Sequence, residues 1–73
     1  KTFMTLAPTM IEESFVVIGE QYDIVELYSL AGVSVARFGK EAEYDISTLS
    51  GGCYFVEIKN GEQVVGRYKI VKK

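Results

Sequence analysis

Histidine is absent from the chain, and with it goes the side chain that most often works as base, proton shuttle or metal ligand near neutral pH. Cysteine occurs once, at Cys53, so no intramolecular disulfide can form and no thiolate zinc site can be built. No apolar run approaches the ~18 residues of a membrane-spanning helix, and no window sustains a helical period. A large excess of one charge is missing too. The net charge of −2 is too mild to point to nucleic acid or anionic lipid as a partner. The start, Lys1-Thr2-Phe3, has neither an initiator methionine nor a charged-then-apolar leader, and it reads as the cut end of a longer protein.

What is present is a short, apolar, β-rich chain. Its 73 residues are enough for one domain, residues 1–73. A domain of this size buries only about 60% of its unfolded surface. The 48% apolar content nevertheless argues for a packed core rather than disorder, held without metal or disulfide.

Breakers recur about every 8–12 residues, the spacing of all-β sandwiches. The strands begin with Phe3 to Leu6, stopped by Ala7-Pro8, since proline cannot donate to a ladder. Ser14 to Ile18, Ile24 to Tyr28, Ser34 to Phe38 and Ala42 to Ile46 follow. Residues 47–52 form a corner, with Ile46 and Leu49 plugging the bottom of the core. The pattern predicts a small antiparallel immunoglobulin-like sandwich of about seven strands, with a small open barrel as the alternative.

The last third holds the clearest local signal, Asn60-Gly61 between two β-rich runs. A three-residue loop, Lys59-Asn60-Gly61, would pair Val56 with Val64 and Ile58 with Glu62. It would gather Tyr54, Val56, Ile58, Val64, Tyr68 and Ile70 on one face and leave Phe55, Glu57, Gln63, Val65, Arg67 and Lys69 on the other. The same logic at Leu30-Ala31-Gly32 pairs Leu27 with Val35 and aligns Val25, Leu27, Val33 and Val35.

Candidates for chemistry are few. Glu12-Glu13 and Glu41 with Glu43 are the paired carboxylates, and in loops of a small domain they read as solvated charges rather than an acid–base pair. Gly51-Gly52 precedes no helix and no Lys-Ser/Thr, so it reads as a tight corner, not a phosphate cradle. Cys53 reads as a small strand residue, with a reactive or intermolecular thiol as the other possibility. These residues imply no catalytic site, cofactor or metal. Tyr28 and Phe38, and Phe55 with Val65 and Arg67, fall on outward faces. They mark either an interaction surface or a surface covered by an upstream domain. The terminal Arg67, Lys69, Lys72 and Lys73 are either a handle for a partner or a device that protects an edge strand.

Val25-Glu26-Leu27-Tyr28-Ser29-Leu30-Ala31-Gly32 resembles the "i-x-i-y-d-l-x-G" hairpin of the type IX secretion C-terminal sorting domains. Tyr44 to Val56 is similar to that family's "i-d-l-s-x-L-x-x-G-x-Y-x-v" centre, and Tyr68-Lys69-Ile70-Val71-Lys72 to its lysine-bearing last strand. Pro8-Thr9-Met10 stands where the family usually has Pro-Asn-Pro. The resemblance implies a sorting domain that crosses the periplasm with its upstream cargo and meets shuttle proteins and the outer-membrane translocon. A cell-surface sortase then usually removes it, leaving the cargo on the surface or released. Gly52, Tyr54, Lys69 and Lys72 match the motif residues of the recognition element. A non-catalytic interaction or spacer module of the same fold is the second functional class, and a homodimer stays open. Circular dichroism should show an all-β spectrum and one cooperative unfolding transition that a chelator leaves unchanged. A substantial helical signal would contradict the period-two patterning.

Overall fold

The computed structural model describes residues 5–7, 10–19 and 21–73. Among them the chain forms eight strands: β1 (Thr5–Ala7), β2 (Met10–Ile11), β3 (Ser14–Ile18), β4 (Ile24–Ser29), β5 (Ser34–Phe38), β6 (Tyr44–Asp45), β7 (Gly52–Asn60) and β8 (Gln63–Lys72). They build a three-stranded sheet in the order β1-β3-β6 and a five-stranded sheet in the order β2-β8-β7-β4-β5. Every pairing is antiparallel except β2 with β8, where Met10 and Ile11 lie beside Val71 and Lys72. Phe3, Met4 and Pro8 lie outside the described residues, as does the expected proline bend; of the expected first strand, β1 covers Thr5 and Leu6.

Alternation along the strands explains the two layers. Val25 and Leu27 from β4, Val56 and Ile58 from β7, and Ile70 from β8 are all fully buried. Phe15 from β3 and Tyr44 from β6 meet them from the other sheet, and Ile46 and Leu49 close the bottom as the corner reading expected. The fold is therefore a small all-β sandwich.

Both hairpins differ from expectation in register. Val56 pairs with Tyr68 rather than Val64, Ile58 pairs with Gly66 rather than Glu62, and Asn60 pairs with Gln63. The turn is thus Gly61-Glu62, with Gly61 at φ 64°, the sign that a two-residue hairpin asks of its first central residue. The partner of Val56 moves by an even number of residues, so Tyr54, Val56, Ile58, Tyr68 and Ile70 keep their expected common face.

A bulge at Val65 breaks the alternation nearer the turn. Val64 is thereby sent outward, 41% exposed, while Val65 turns to pack against the core instead of joining Phe55 outside. The inner position next to the bulge is Gly66, where a β-carbon would lie 3.2 Å from the Tyr68 ring. The Tyr68 ring occupies the space a larger residue would need, so the apolar side chain comes from Val65.

In the β4–β5 hairpin the loop Leu30-Ala31-Gly32 is as expected. The Ser29 N–H donates to Val33 O at 2.9 Å, Gly32 has φ 86°, and Tyr28 pairs with Ser34. A bulge at Val35 then moves Leu27 opposite Ala36 and Val25 opposite Phe38. Val35 leaves the core, 39% exposed, with Ala36 in its place opposite Leu27 and Phe38 turned inward, while Val33, still opposite Ser29 at the end of the hairpin, is 60% exposed. Phe38, expected beside Tyr28 on the outside, instead meets Tyr44 edge-on with centroids 5.4 Å apart.

Ile58→Ala should cost about 2–5 kcal/mol, the usual range for emptying a buried aliphatic site. Val64→Ala, which the simple alternation places on the same face, should cost no more than about 0.5 kcal/mol. Denaturant unfolding of the two variants checks this, and equal costs would remove the bulge.

Candidate recognition surface

The four motif residues do not form one patch. Gly52 opens β7 opposite Lys72 at the end of β8, and Tyr54 sits opposite Ile70. These three point to the inner side of the sheet. Gly52 has φ 148°, a conformation that other residues rarely adopt, and it sets the corner from which β7 departs. The Tyr54 ring is buried, and its hydroxyl donates to Ser50 O at 2.6 Å, tying the corner to the strand.

Lys72 is 8% exposed, with its ammonium donating to Lys73 O at 3.1 Å. Its strand end is held between β7 on one side and β2 on the other, and the Lys73 N–H donates to Ile11 O at 2.8 Å. Lys72 therefore does not line an open edge. Of the four, Lys69 alone has an exposed side chain, on the outer face opposite Phe55.

That outer face is ordered in rows across the strands. Met10, Val71 and Cys53 make the first, with Leu30 just beyond Ser29 on the next strand. Lys69, Phe55, Tyr28 and Ser34 make the second, and Arg67, Glu57, Glu26 and Arg37 the third. Lys59 follows, flanked by Val64 and Ile24. One end of the face is apolar and the other is charged. Phe55 and Arg67 belong to it, whereas Val65 does not.

Two carboxylates directly opposite each other, Glu26 and Glu57, would ordinarily repel. Lys59 sits between them, 3.0 Å from Glu26 and 3.8 Å from Glu57, and also donates to the Tyr28 hydroxyl at 3.1 Å. Arg67 closes the row by donating through Nε and Nη2 to Glu57 at 3.1 and 2.9 Å. Glu26 is itself buried and accepts from the Ser34 hydroxyl at 2.6 Å. That bond first, and the Lys59 ammonium second, hold its carboxyl down at about 2 against an ordinary 4.5, outweighing the effect of burial. Lys59 is in turn held above its usual range, chiefly by Glu26.

Neither Glu26 nor Lys59 stands out from composition. Their roles need the cross-strand register, and the only sequence signal is that both fall at outward positions of neighbouring strands. The carboxylates that did stand out behave as surface groups. Glu12 is largely exposed, and Glu43 accepts a bond from the Ser14 hydroxyl in a shallow cleft of about 310 Å³ with Glu13, Asp45 and Ser47. Among the described residues no group of three His, Cys, Asp or Glu could hold a metal.

An acid whose folded-state pKa is lowered stabilises the fold above its unfolded value and loses that contribution as pH falls through the folded one. For Glu26 the loss runs from 4.5 down to about 2. Denaturant unfolding across that window should show falling stability, and Glu26→Gln should flatten the fall. An unchanged slope in the variant would assign the acid sensitivity to other carboxylates.

Residues 9–73 match the family model described as a secretion system C-terminal sorting domain. No curated protein and no solved structure shows significant similarity to the chain.

Proposed function

Because the chain belongs to the type IX secretion C-terminal sorting domain family, and so is a sorting signal for export to the cell surface or beyond, we propose that its machinery reads the outside of the last hairpin, with Lys69 as a contact. What supports this is one observation: of the four motif residues, only Lys69 offers its side chain to a partner while the domain stays folded. Gly52, Tyr54 and Lys72 contribute by shaping the corner and the end of β8, so their substitution acts through the fold.

In this reading an upstream cargo is carried through the periplasm, the outer-membrane translocon and its shuttle proteins engage the folded domain, and a surface sortase removes it afterwards. The family is one of sorting signals, and in this reading the domain takes no catalytic part. A plain spacer module would carry the same sandwich without any dependence on the secretion machinery.

Fused behind a periplasmic reporter, the chain should bring the reporter to the surface of a type IX-competent host and leave it in the periplasm of a host lacking the system. Lys69→Gln should unfold at the same denaturant midpoint as the parent, since an exposed lysine contributes little to stability. It should nevertheless strand the reporter. Retention of the unmodified fusion in the competent host would favour the spacer reading. Normal export of the Lys69→Gln fusion would remove Lys69 as a contact.

A further inference from the structure

We infer that the outer face of the five-stranded sheet docks an acidic protein surface that presents one protruding apolar side chain; the inference rests on the sorting reading and names the chemistry of the partner. The charge distribution carries it. The outer rows hold four cations, Arg37, Lys59, Arg67 and Lys69, against two carboxylates, Glu26 and Glu57. The chain as a whole is at −2, so this one face is basic on an acidic domain. Lys59 and Arg67 are used up internally by Glu26 and Glu57. Arg37 and Lys69 have no carboxylate partner among the described residues, and both side chains are exposed. Three strand spacings and one row separate them, which puts the two free cations about 15 Å apart.

Between them lies the apolar part. Phe55, 37% exposed, and Tyr28 form the floor of a groove of about 470 Å³, with the Leu30–Gly32 turn on one side and the Glu57–Arg67 pair on the other. A fixed aromatic floor flanked by unpaired cations suits an apolar side chain set between two carboxylates, the arrangement in which a buried anchor gives affinity and rim charges give steering. A second copy of this chain is a poor occupant, because face-to-face packing would bring two net-positive surfaces together.

The reporter fusion in a type IX-competent host tests this, with Phe55→Ser and Arg37→Gln as variants. Val16→Ser is the control, since Val16 is equally exposed at 37% but lies on β3 in the other sheet. Each outer-face variant should lower the exported fraction, and the double variant should lower it about tenfold, the scale of losing one desolvated anchor. Arg37→Lys should restore export, and Val16→Ser should match the parent. Thermal unfolding midpoints separate docking from folding. Arg37→Gln, which removes no side-chain hydrogen bond or ion pair among the described residues, should keep the parental midpoint even if Phe55→Ser does not. Export of the parent with undiminished export of Arg37→Gln and the double variant would overturn the docking face and leave the sorting reading standing. Retention of the parent fusion itself would overturn both. Sedimentation of the purified chain as a dimer that Phe55→Ser dissociates would assign the face to self-association and overturn the acidic partner.

Discussion

The sandwich depends on Tyr44. Two stacked sheets share no ladder, so side chains must hold them together, and in a domain this small few are available. The Tyr44 ring is fully buried, stacked on Phe15 with centroids 5.2 Å apart and met edge-on by Phe38. Its hydroxyl donates to Gly39 O at 3.1 Å, accepts the Glu41 N–H at 2.9 Å and lies 3.0 Å from the Tyr22 hydroxyl. With one proton already given to Gly39, Tyr44 accepts from Tyr22. Burial first, and that bond second, push the Tyr22 ionisation well above its ordinary range. A buried hydroxyl left without partners would cost about 1–3 kcal/mol, a large share of what a small domain has. One residue thus joins β3, β5 and the 39–41 turn, which explains how a strand as short as β6 is retained.

The two bulges have a shared consequence. Each adds one residue to the second strand of a hairpin, at Val35 and at Val65, and each reverses the inside and outside of everything on one side of it. In β5 the bulge brings Phe38 inward to reach Tyr44 and leaves Val35 outside. In β8 it brings Val65 inward beside Gly66 and leaves Val64 outside. The outer face inherits its character from this exchange. Lys69 and Arg67 remain outward because they lie beyond the bulge, where the alternation from Ile70 still holds. The Glu26–Lys59–Glu57–Arg67 row then rigidifies the middle of that face without leaving any of its carboxylates unpaired.

The sequence by itself determined the class of fold, most strand positions and the family. Ser14–Ile18 and Ser34–Phe38 are bounded as the β-branched runs and their flanking turn residues indicate, and the Leu30–Gly32 loop and the Ile46–Leu49 plug follow from local pattern. The face of Tyr54, Val56, Ile58 and Ile70 was legible because a period of two survives any even slip of register. Only the tertiary structure decided the register itself, the two bulges, the inward turn of Phe38 and Val65, and the burial of Lys72 beside β2. It also decided that of Gly52, Tyr54, Lys69 and Lys72 a single side chain faces outward. A bulge is chosen by what fills the space between the sheets, the Tyr44 ring that Phe38 reaches and the Tyr68 ring beside Gly66 here. Local periodicity carries no record of them, since a pattern of alternation states which residues share a face but not where the count is broken.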